Sequence, residues 1–141
     1  MLLYGADKDV AAWVAGRFNV DPSYLEPCTA IGVVRDGRIV AGVVYNNYKE
    51  DAFGKPLSIE MTIASVDKTW FTRQNISAFF RYPFIQLNLK RIWTQCSAED
   101  EGVQMFNKRL GFKQEGINRN AWAFGGDSVC FGLIKEECKW L

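Results

Sequence analysis

Residues 106–116 read Phe-Asn-Lys-Arg-Leu-Gly-Phe-Lys-Gln-Glu-Gly, and this stretch decides the fold class. An amphipathic helix is predicted to end at Gly111, which stands where helices adopt a left-handed residue that is usually glycine. A side chain with a Cβ is disfavoured in that conformation by about 1 kcal/mol or more. The chain continues directly into a strand that begins with the aromatic Phe112. A helix-to-strand transition this short indicates that helices alternate with strands.

The half of the chain before this stretch is predicted to contain a helix, a hairpin and a third strand. Asp7 is expected to be the N-cap of the first helix. The apolar face of that helix is predicted from Val10, Ala11, Val14 and Phe18. Asp36-Gly37 between two β-branched runs predicts a type I′ turn. Residues 46–56 are expected to be a polar loop, and residues 58–64 a strand with alternating side chains.

A second helix is predicted from the apolar spacing of residues 76–87, and Pro83 is expected to kink it or shorten it. Residues 91–96 follow as a short strand, after which Ser97 is expected to cap the next helix. The buried stripe of that helix is predicted to be Val103, Phe106 and Leu110. Strands at 112–116 and 128–135 complete the order. It predicts one mixed α/β domain, residues 1–141, with helices packed on a twisted and mostly antiparallel sheet.

Composition excludes several classes of protein. With 48% hydrophobic and 14% aromatic residues in 141, the chain is neither disordered nor fibrous. Its formal charge of +1 provides no strong attraction to nucleic acid or anionic lipid. No apolar run approaches the length of a membrane span, and no signal peptide is recognised at the start. The absence of histidine excludes Ser-His-Asp and Cys-His catalysis and disfavours a zinc site. The four cysteines lack metal-ligand spacing and are expected to be free thiols, which points to the cytoplasm.

Several short motifs in order resemble the GNAT superfamily of N-acetyltransferases, over about residues 31–140. Residues 84–91, FIQLNLKR, resemble the superfamily's passage from a helix to a strand, and residues 98–116 resemble its "KLGF..EG" segment. Asp127 before a final strand also matches. The branch most similar acetylates ribosomal-protein N-termini and small amines. The first residues and residues 136–140 resemble small bacteriophage-encoded members. The resemblance implies the acyltransferase fold, with acetyl-coenzyme A (acetyl-CoA) as co-substrate, an amine as acceptor and no metal.

The superfamily binds the pyrophosphate of acetyl-CoA in a loop before its central helix, where backbone N–H groups and the helix N-terminus form an anion site. The matching positions here are Arg73, Gln74, Asn75, Ile76, Ser77 and Ala78. Arg73 and Ala78 fit the pattern, whereas Ile76 replaces a glycine and its branched side chain stands where the phosphates approach. The alternative interpretation makes Ile76 a core residue and Arg73 a solvated arginine at a helix start.

Further site residues follow from the resemblance. Glu60 lies on the strand that often contains a catalytic glutamate, and a partly buried carboxylate there would be a general base; a paired or solvated strand glutamate is the alternative. Backbone N–H groups of Ile63, Ala64, Ser65 and Val66 are expected to polarise the thioester carbonyl. Ser97 either hydrogen-bonds the cofactor or only caps its helix. Asp100 and Asn107 occupy cofactor positions, and Asn107 replaces the usual tyrosine general acid.

Three functions remain open at this stage. The leading one is acetyl transfer from acetyl-CoA to an amine by direct attack. The second is a non-catalytic scaffold that acts through a partner surface, favoured by Ile76, Val103 and Asn107. The third is modification of a nucleic-acid base, to which Lys90-Arg91 and Lys108-Arg109 could contribute charge and which the net charge disfavours. A monomer and a homodimer are both compatible with the sequence.

Overall fold

The computed structural model describes residues 1–141 and shows a single seven-stranded sheet with helices on both faces. The strands are β1 (Leu2–Leu3), β2 (Cys28–Arg35), β3 (Arg38–Glu50), β4 (Pro56–Ser65), β5 (Arg91–Ser97), β6 (Lys113–Asn118) and β7 (Ser128–Ile134). The α-helices are α1 (Asp7–Arg17), α2 (Arg73–Arg81) and α3 (Glu101–Leu110), with short 3₁₀ turns at Pro22–Leu25 and Lys135–Glu137. None of the helices combines the length and the hydrophobicity needed to cross a lipid bilayer.

The strand order is β1-β2-β3-β4-β5-β7-β6, and every neighbouring pair is antiparallel except β4 with β5. The mixed, mostly antiparallel α/β fold predicted from the sequence is therefore confirmed. The Asp36-Gly37 turn is also confirmed, because both residues have positive φ, 53° and 74°, as a type I′ turn requires. The two-residue strand β1 carried no sequence signal.

The core is divided by the sheet into two apolar layers. Val10 and Val14 of α1 pack with Val44 and Ala64 on one face. On the other face, aromatic residues of α2 and the following turn pack with Ile59 and Met61 of β4 and Leu110 of α3; these aromatic residues are Phe79, Phe80 and Phe84. Pro83 lies in a π-helical turn, Tyr82–Gln86, that ends the second helix, so its predicted effect on that helix is confirmed.

Several predicted details of the helices and strands are wrong, each for a local physical reason. Asp7 lies inside α1 rather than capping it, because its carboxylate accepts the backbone N–H of Ala30 at 3.0 Å. Of the polar segment predicted as a loop at residues 46–56, residues 46–50 continue β3 and Pro56 begins β4, so only residues 51–55 form a loop. Asp100 caps α3 in place of Ser97, through the N–H of Val103 at 3.1 Å.

The apolar stripe of α3 also differs from the prediction. Val103 is 39% exposed, whereas Asn107, one turn later, is buried. Phe106 and Leu110 pack inward as expected.

All four cysteines are free, as predicted. Burial raises the pKa of the Cys28, Cys130 and Cys138 thiols. Burial and the charge of Asp100 raise the pKa of Cys96 to about 11.

Substitution of Gly111 tests the helix-to-strand transition on which the fold prediction depends. Gly111 has φ 104°, and a Cβ added there would meet only Leu133 at 3.9 Å, an ordinary contact. We therefore expect Gly111→Ala to lower the free energy of unfolding by about 1–2 kcal/mol through backbone strain alone. Urea denaturation measures the change. Gly116→Ala is the matched control, because Gly116 has no close neighbour at its Cβ position and an unstrained φ. Equal effects of the two substitutions would contradict the assignment.

Candidate active site

The candidate site is built around the separation of two parallel strands. β4 pairs with β5 only at Ser58, Ile59 and Glu60. Beyond this ladder, the Thr94 hydroxyl of β5 donates to the backbone carbonyl of Met61 in β4 at 2.9 Å. β4 then continues along β3 as far as Ser65, while β5 pairs with β7. Residues 62–65 consequently border a gap in the sheet.

Every second residue of β4 directs its backbone N–H group toward this gap. The N–H of Val66 donates to the carbonyl of Val40 in β3 at 2.9 Å. Antiparallel ladder bonds alternate, so the N–H of Ala64 also points to β3, and those of Ile63 and Ser65 point to the gap. Of the four residues expected to polarise a carbonyl, Ile63 and Ser65 thus have the required orientation.

Glu60 lies at the last paired position before the gap and is only 6% exposed. Its Oε1 accepts the side-chain amides of Asn47 at 2.8 Å and Asn46 at 3.3 Å, and its Oε2 accepts that of Gln95 at 3.2 Å. The three ion pairs of the protein are Arg35–Asp67, Arg91–Glu115 and Lys113–Glu137. Glu60 is therefore neither paired with a cation nor solvated, which excludes both alternatives considered from the sequence.

Burial raises the pKa of the Glu60 carboxyl, and the three amide hydrogen bonds only partly offset that effect. Hydroxyl groups fix the direction of two of these amides. Ser128 donates to Oε1 of Gln95 at 2.9 Å, and Thr62 donates to Oδ1 of Asn46 at 3.1 Å. The NH₂ group of each amide is thereby turned toward Glu60. The two oxygens of the buried carboxylate are thereby held in a fixed orientation.

A β-bulge brings two consecutive asparagines to the same carboxylate. Between Asn46 and Lys49, β3 advances three residues while β4 advances two, from Glu60 to Ser58. Asn47 occupies the bulge with φ 55°, a left-handed conformation that asparagine tolerates better than most residues. Consecutive residues of a regular strand point to opposite faces, so without the bulge only one of the pair would reach Glu60.

The N-terminus of α2, predicted to hold a pyrophosphate, is partly occupied by the protein itself. The Thr72 hydroxyl caps the helix by accepting the N–H of Asn75 at 3.2 Å. The Arg73 guanidinium donates to the carbonyl of Lys139 at 3.5 Å and lies 5.5 Å from the centre of the Trp140 ring. Arg73 thus contacts the C-terminal segment while its side chain stays exposed to solvent.

Residues 73–78, predicted as the pyrophosphate loop, lie in α2, and two more of them make internal contacts. Ser77 donates to the carbonyl of Trp140 at 2.8 Å, and the Asn75 amide donates to that of Trp70 at 2.9 Å. Gln74 is exposed, and Ala78 is half-buried. Ile76 is 1% exposed and packs in the main core, as the alternative interpretation proposed. Its side chain therefore points away from the exposed start of the helix.

Aromatic residues connect the loop before α2 with α3. The ring centres of Trp70 and Phe71 lie 6.3 and 5.5 Å from that of Phe106. Arg35 anchors the same loop from β2, through Asp67 at 2.7 Å and through Thr69. The loop is consequently packed against α3, so a ligand entering here would displace aromatic side chains.

The remaining predicted site residues lie at the ends of β5 and α3. The Ser97 hydroxyl accepts the N–H of Glu99 at 3.2 Å, within a local turn. Asp100 uses its carboxylate as the N-cap of α3. Asn107 is 4% exposed, and its Nδ2 lies 4.0 Å from the Sγ of Cys96. None of these side chains is brought to Glu60, and Asn107 supplies no acidic proton for a departing thiolate.

The sequence interpretation missed Asn46, Asn47, Gln95 and Ser128. The asparagines were assigned to a loop, although Asn-Asn after a β-branched run is compatible with a bulge. Gln95 and Ser128 belong to separate strands, and only the β5–β7 pairing brings them together.

No protein-family model matches the sequence, and no curated protein sequence matches it significantly. Solved structures do match. This chain has the fold of the GNAT acetyltransferases. The ribosomal-protein-alanine N-acetyltransferase from Brucella melitensis superposes with a TM-score of 0.71 at 12% identity, covering 95% of this chain and 99% of that one. A chimera of the spermidine N-acetyltransferase SpeG from Vibrio cholerae and hSSAT gives a TM-score of 0.70 at 16% identity, covering 96% of this chain and 97% of that one. The ribosomal-protein-S5-alanine acetyltransferase from Vibrio fischeri gives 0.65 at 19% identity, covering 89% and 67%. Identities this low establish the fold and not the activity.

The bulged asparagine is expected to control the ionisation of Glu60. A hydrogen bond donated to a carboxylate favours its charged form, so removal of the Asn47 amide should raise the Glu60 pKa further above its usual range. Asn47→Gly removes the donor and retains the positive φ. A pH titration of the Glu60 side-chain ¹³C signal by NMR measures the shift.

Asn120→Gly is the matched control, because Asn120 also has positive φ, 52°, and is exposed. That variant should leave the Glu60 titration unchanged. An unchanged titration in Asn47→Gly as well would show that the 2.8 Å contact with Glu60 is not maintained in solution.

Proposed function

We propose that this protein transfers an acetyl group from acetyl-CoA to an amine by direct attack. The observation that carries the proposal is Glu60, a buried carboxylate without a cation partner, located where β4 and β5 part. A structural glutamate at such a position would ordinarily be paired or exposed. Here burial raises the pKa of the carboxyl, which makes the carboxylate a stronger proton acceptor than an exposed glutamate.

In the proposed reaction, Glu60 accepts the proton and backbone N–H groups of β4 stabilise the carbonyl oxygen. The amine nitrogen forms a bond to the thioester carbonyl carbon, its proton passes to Glu60, and the carbon–sulfur bond breaks to release the thiolate of coenzyme A. The N–H groups of Ile63 and Ser65 are oriented to stabilise the carbonyl oxygen as it becomes negative. No covalent intermediate with the protein is required, which agrees with the absence of histidine. Ser97 and Asn107 take no part in the proton transfer.

Acetyl-CoA is proposed to lie along the gap with its pyrophosphate at the start of α2. The N–H groups of Arg73 and Gln74 have no intrahelical acceptor there and favour an anion. Asn75, Ser77 and Ala78 line the same turn, whereas Ile76 supports it from the core. The acceptor is an amine of a protein or a small molecule. A cytoplasmic location, a homodimer and a bacteriophage origin stay predictions.

A second candidate is a non-catalytic scaffold, and two contacts favour it. Arg73 already contacts Lys139 and Trp140, and Trp70 and Phe71 pack the loop before α2 against Phe106 of α3. A protein that had lost its cofactor could retain this packing unchanged.

Calorimetric titration with acetyl-CoA separates the two candidates. We expect binding in the micromolar range, with coenzyme A as the control for the contribution of the acetyl group. Arg73→Ala should weaken that binding if the guanidinium turns from Trp140 to the phosphates. Absence of binding at millimolar acetyl-CoA would favour the scaffold and overturn the transferase.

Replacement of Glu60 tests the general base. Glu60→Gln should lower kcat by about 10²–10⁴-fold and leave acetyl-CoA affinity within about twofold, because the amide cannot accept the proton. The reaction needs the deprotonated carboxylate, so the rate of the native protein should rise with pH through the raised Glu60 pKa. This acid limb should disappear in the variant. A variant that retained both the rate and the limb would exclude Glu60 as the base.

A further inference from the structure

A cavity of about 390 Å³ lies beside Glu60 and has no acidic lining. Its wall consists of Asn47, Lys49, Ser58, Arg91 and Trp93. Asn47 lines this cavity and also donates a hydrogen bond to the Glu60 carboxylate at 2.8 Å. Asn47 therefore connects the wall of the cavity to the proposed general base, which does not itself line the cavity.

The strand register arranges the cavity in two rows. Glu60 has Asn46 of β3 on one side and Trp93 of β5 on the other. Two positions earlier on the same face, Ser58 has Lys49 of β3 on one side and Arg91 of β5 on the other. The row with two cations thus lies about 7 Å from the row with the carboxylate, since a strand rises about 3.4 Å per residue.

The bulge in β3 is responsible for one of these cations. A regular strand would place Tyr48, two residues after Asn46, on the face of Glu60. The extra residue brings Lys49 opposite Ser58 instead. Asn47 has the left-handed φ at this bulge and therefore has two effects. Its side chain contacts the Glu60 carboxylate, and the extra residue places Lys49 opposite Ser58.

The two cationic side chains differ in their ion pairing within the protein. Arg91 contacts the Glu115 carboxylate through one nitrogen, Nη1, at 2.9 Å. Lys49 is exposed and belongs to none of the three ion pairs of the protein. Positive charge at this end of the cavity is consequently available to a ligand. It would attract a carboxylate and repel a second ammonium group.

From this arrangement we propose that the acceptor is a primary amine that also carries a carboxylate about 7 Å from its amino group. The inference rests on the proposed acetyl transfer and specifies its substrate class. The amino group lies at Glu60, the carboxylate lies between Lys49 and Arg91, and the Trp93 indole forms the wall beside them. A dipeptide and a protein N-terminus with an acidic second residue both have this chemistry, whereas a polyamine does not.

The test uses acceptor pairs that differ only in the carboxylate. Glycylglycine is compared with glycylglycinamide, and the peptide Ala-Asp-Ala-Ala-amide with Ala-Asn-Ala-Ala-amide. We expect kcat/KM at least about tenfold higher for the member with the carboxylate in one of the pairs. The pair that shows the preference distinguishes a small-molecule acceptor from a protein N-terminus. Equal values within both pairs would overturn this inference and leave the transferase intact.

Lys49→Glu should reduce that preference to less than about twofold. Arg38→Glu makes the same change in net charge at the opposite end of β3, where Arg38 is exposed, and should leave the preference unchanged. An equal loss in both variants would indicate a general charge effect and contradict the assignment of the cavity.

Calorimetric binding of each peptide in the presence of coenzyme A provides a readout that does not depend on turnover. Carboxylate-selective binding that Lys49→Glu abolishes, without acetyl transfer, would support the ligand class and overturn the transferase. Absence of both transfer and selective binding would overturn both proposals.

Discussion

The separation of β4 from β5 after Glu60 is the constraint on which the rest of the site depends. The two strands pair in parallel up to Glu60, and beyond it each backbone ladder continues on the other edge of its strand only, β4 with β3 and β5 with β7. The N–H groups of Ile63 and Ser65 are left facing the gap. A sheet that continued its ladder would bury the same carboxylate but would offer no space for a reacting group beside it.

Charge balance at Glu60 follows from what surrounds it. A guanidinium or ammonium partner would lower the pKa of a buried carboxylate, whereas neutral amides orient it and offset desolvation only in part. Asn46, Asn47 and Gln95 provide such donors, and hydroxyls of Thr62 and Ser128 fix two of them. The cations lie further away, beside Ser58. Negative and positive potential are thereby separated along one face of the sheet.

Most of the fold could be predicted from the sequence, because its signals are local. Asp36-Gly37 specifies its turn, Gly111 its helix end, and the apolar spacing around Phe79 and Phe80 the buried face of α2. The candidate site could be predicted from the sequence only in part. Glu60 was identified by resemblance and orientation, but its partners come from β3, β5 and β7, and their meeting depends on strand order and on one extra residue. Polar residues near Asn47 indicated a loop because a bulged strand end and a loop have the same composition.

The four free thiols have a practical consequence for enzymology. Burial raises the pKa of each of them, and that of Cys96 reaches about 11, so at neutral pH they are held as thiols rather than thiolates. The thiolate is the form that attacks disulfide reagents. A colorimetric disulfide probe would accordingly report the free thiol of coenzyme A that the proposed acetyl transfer releases, against a slow and small background from the protein itself.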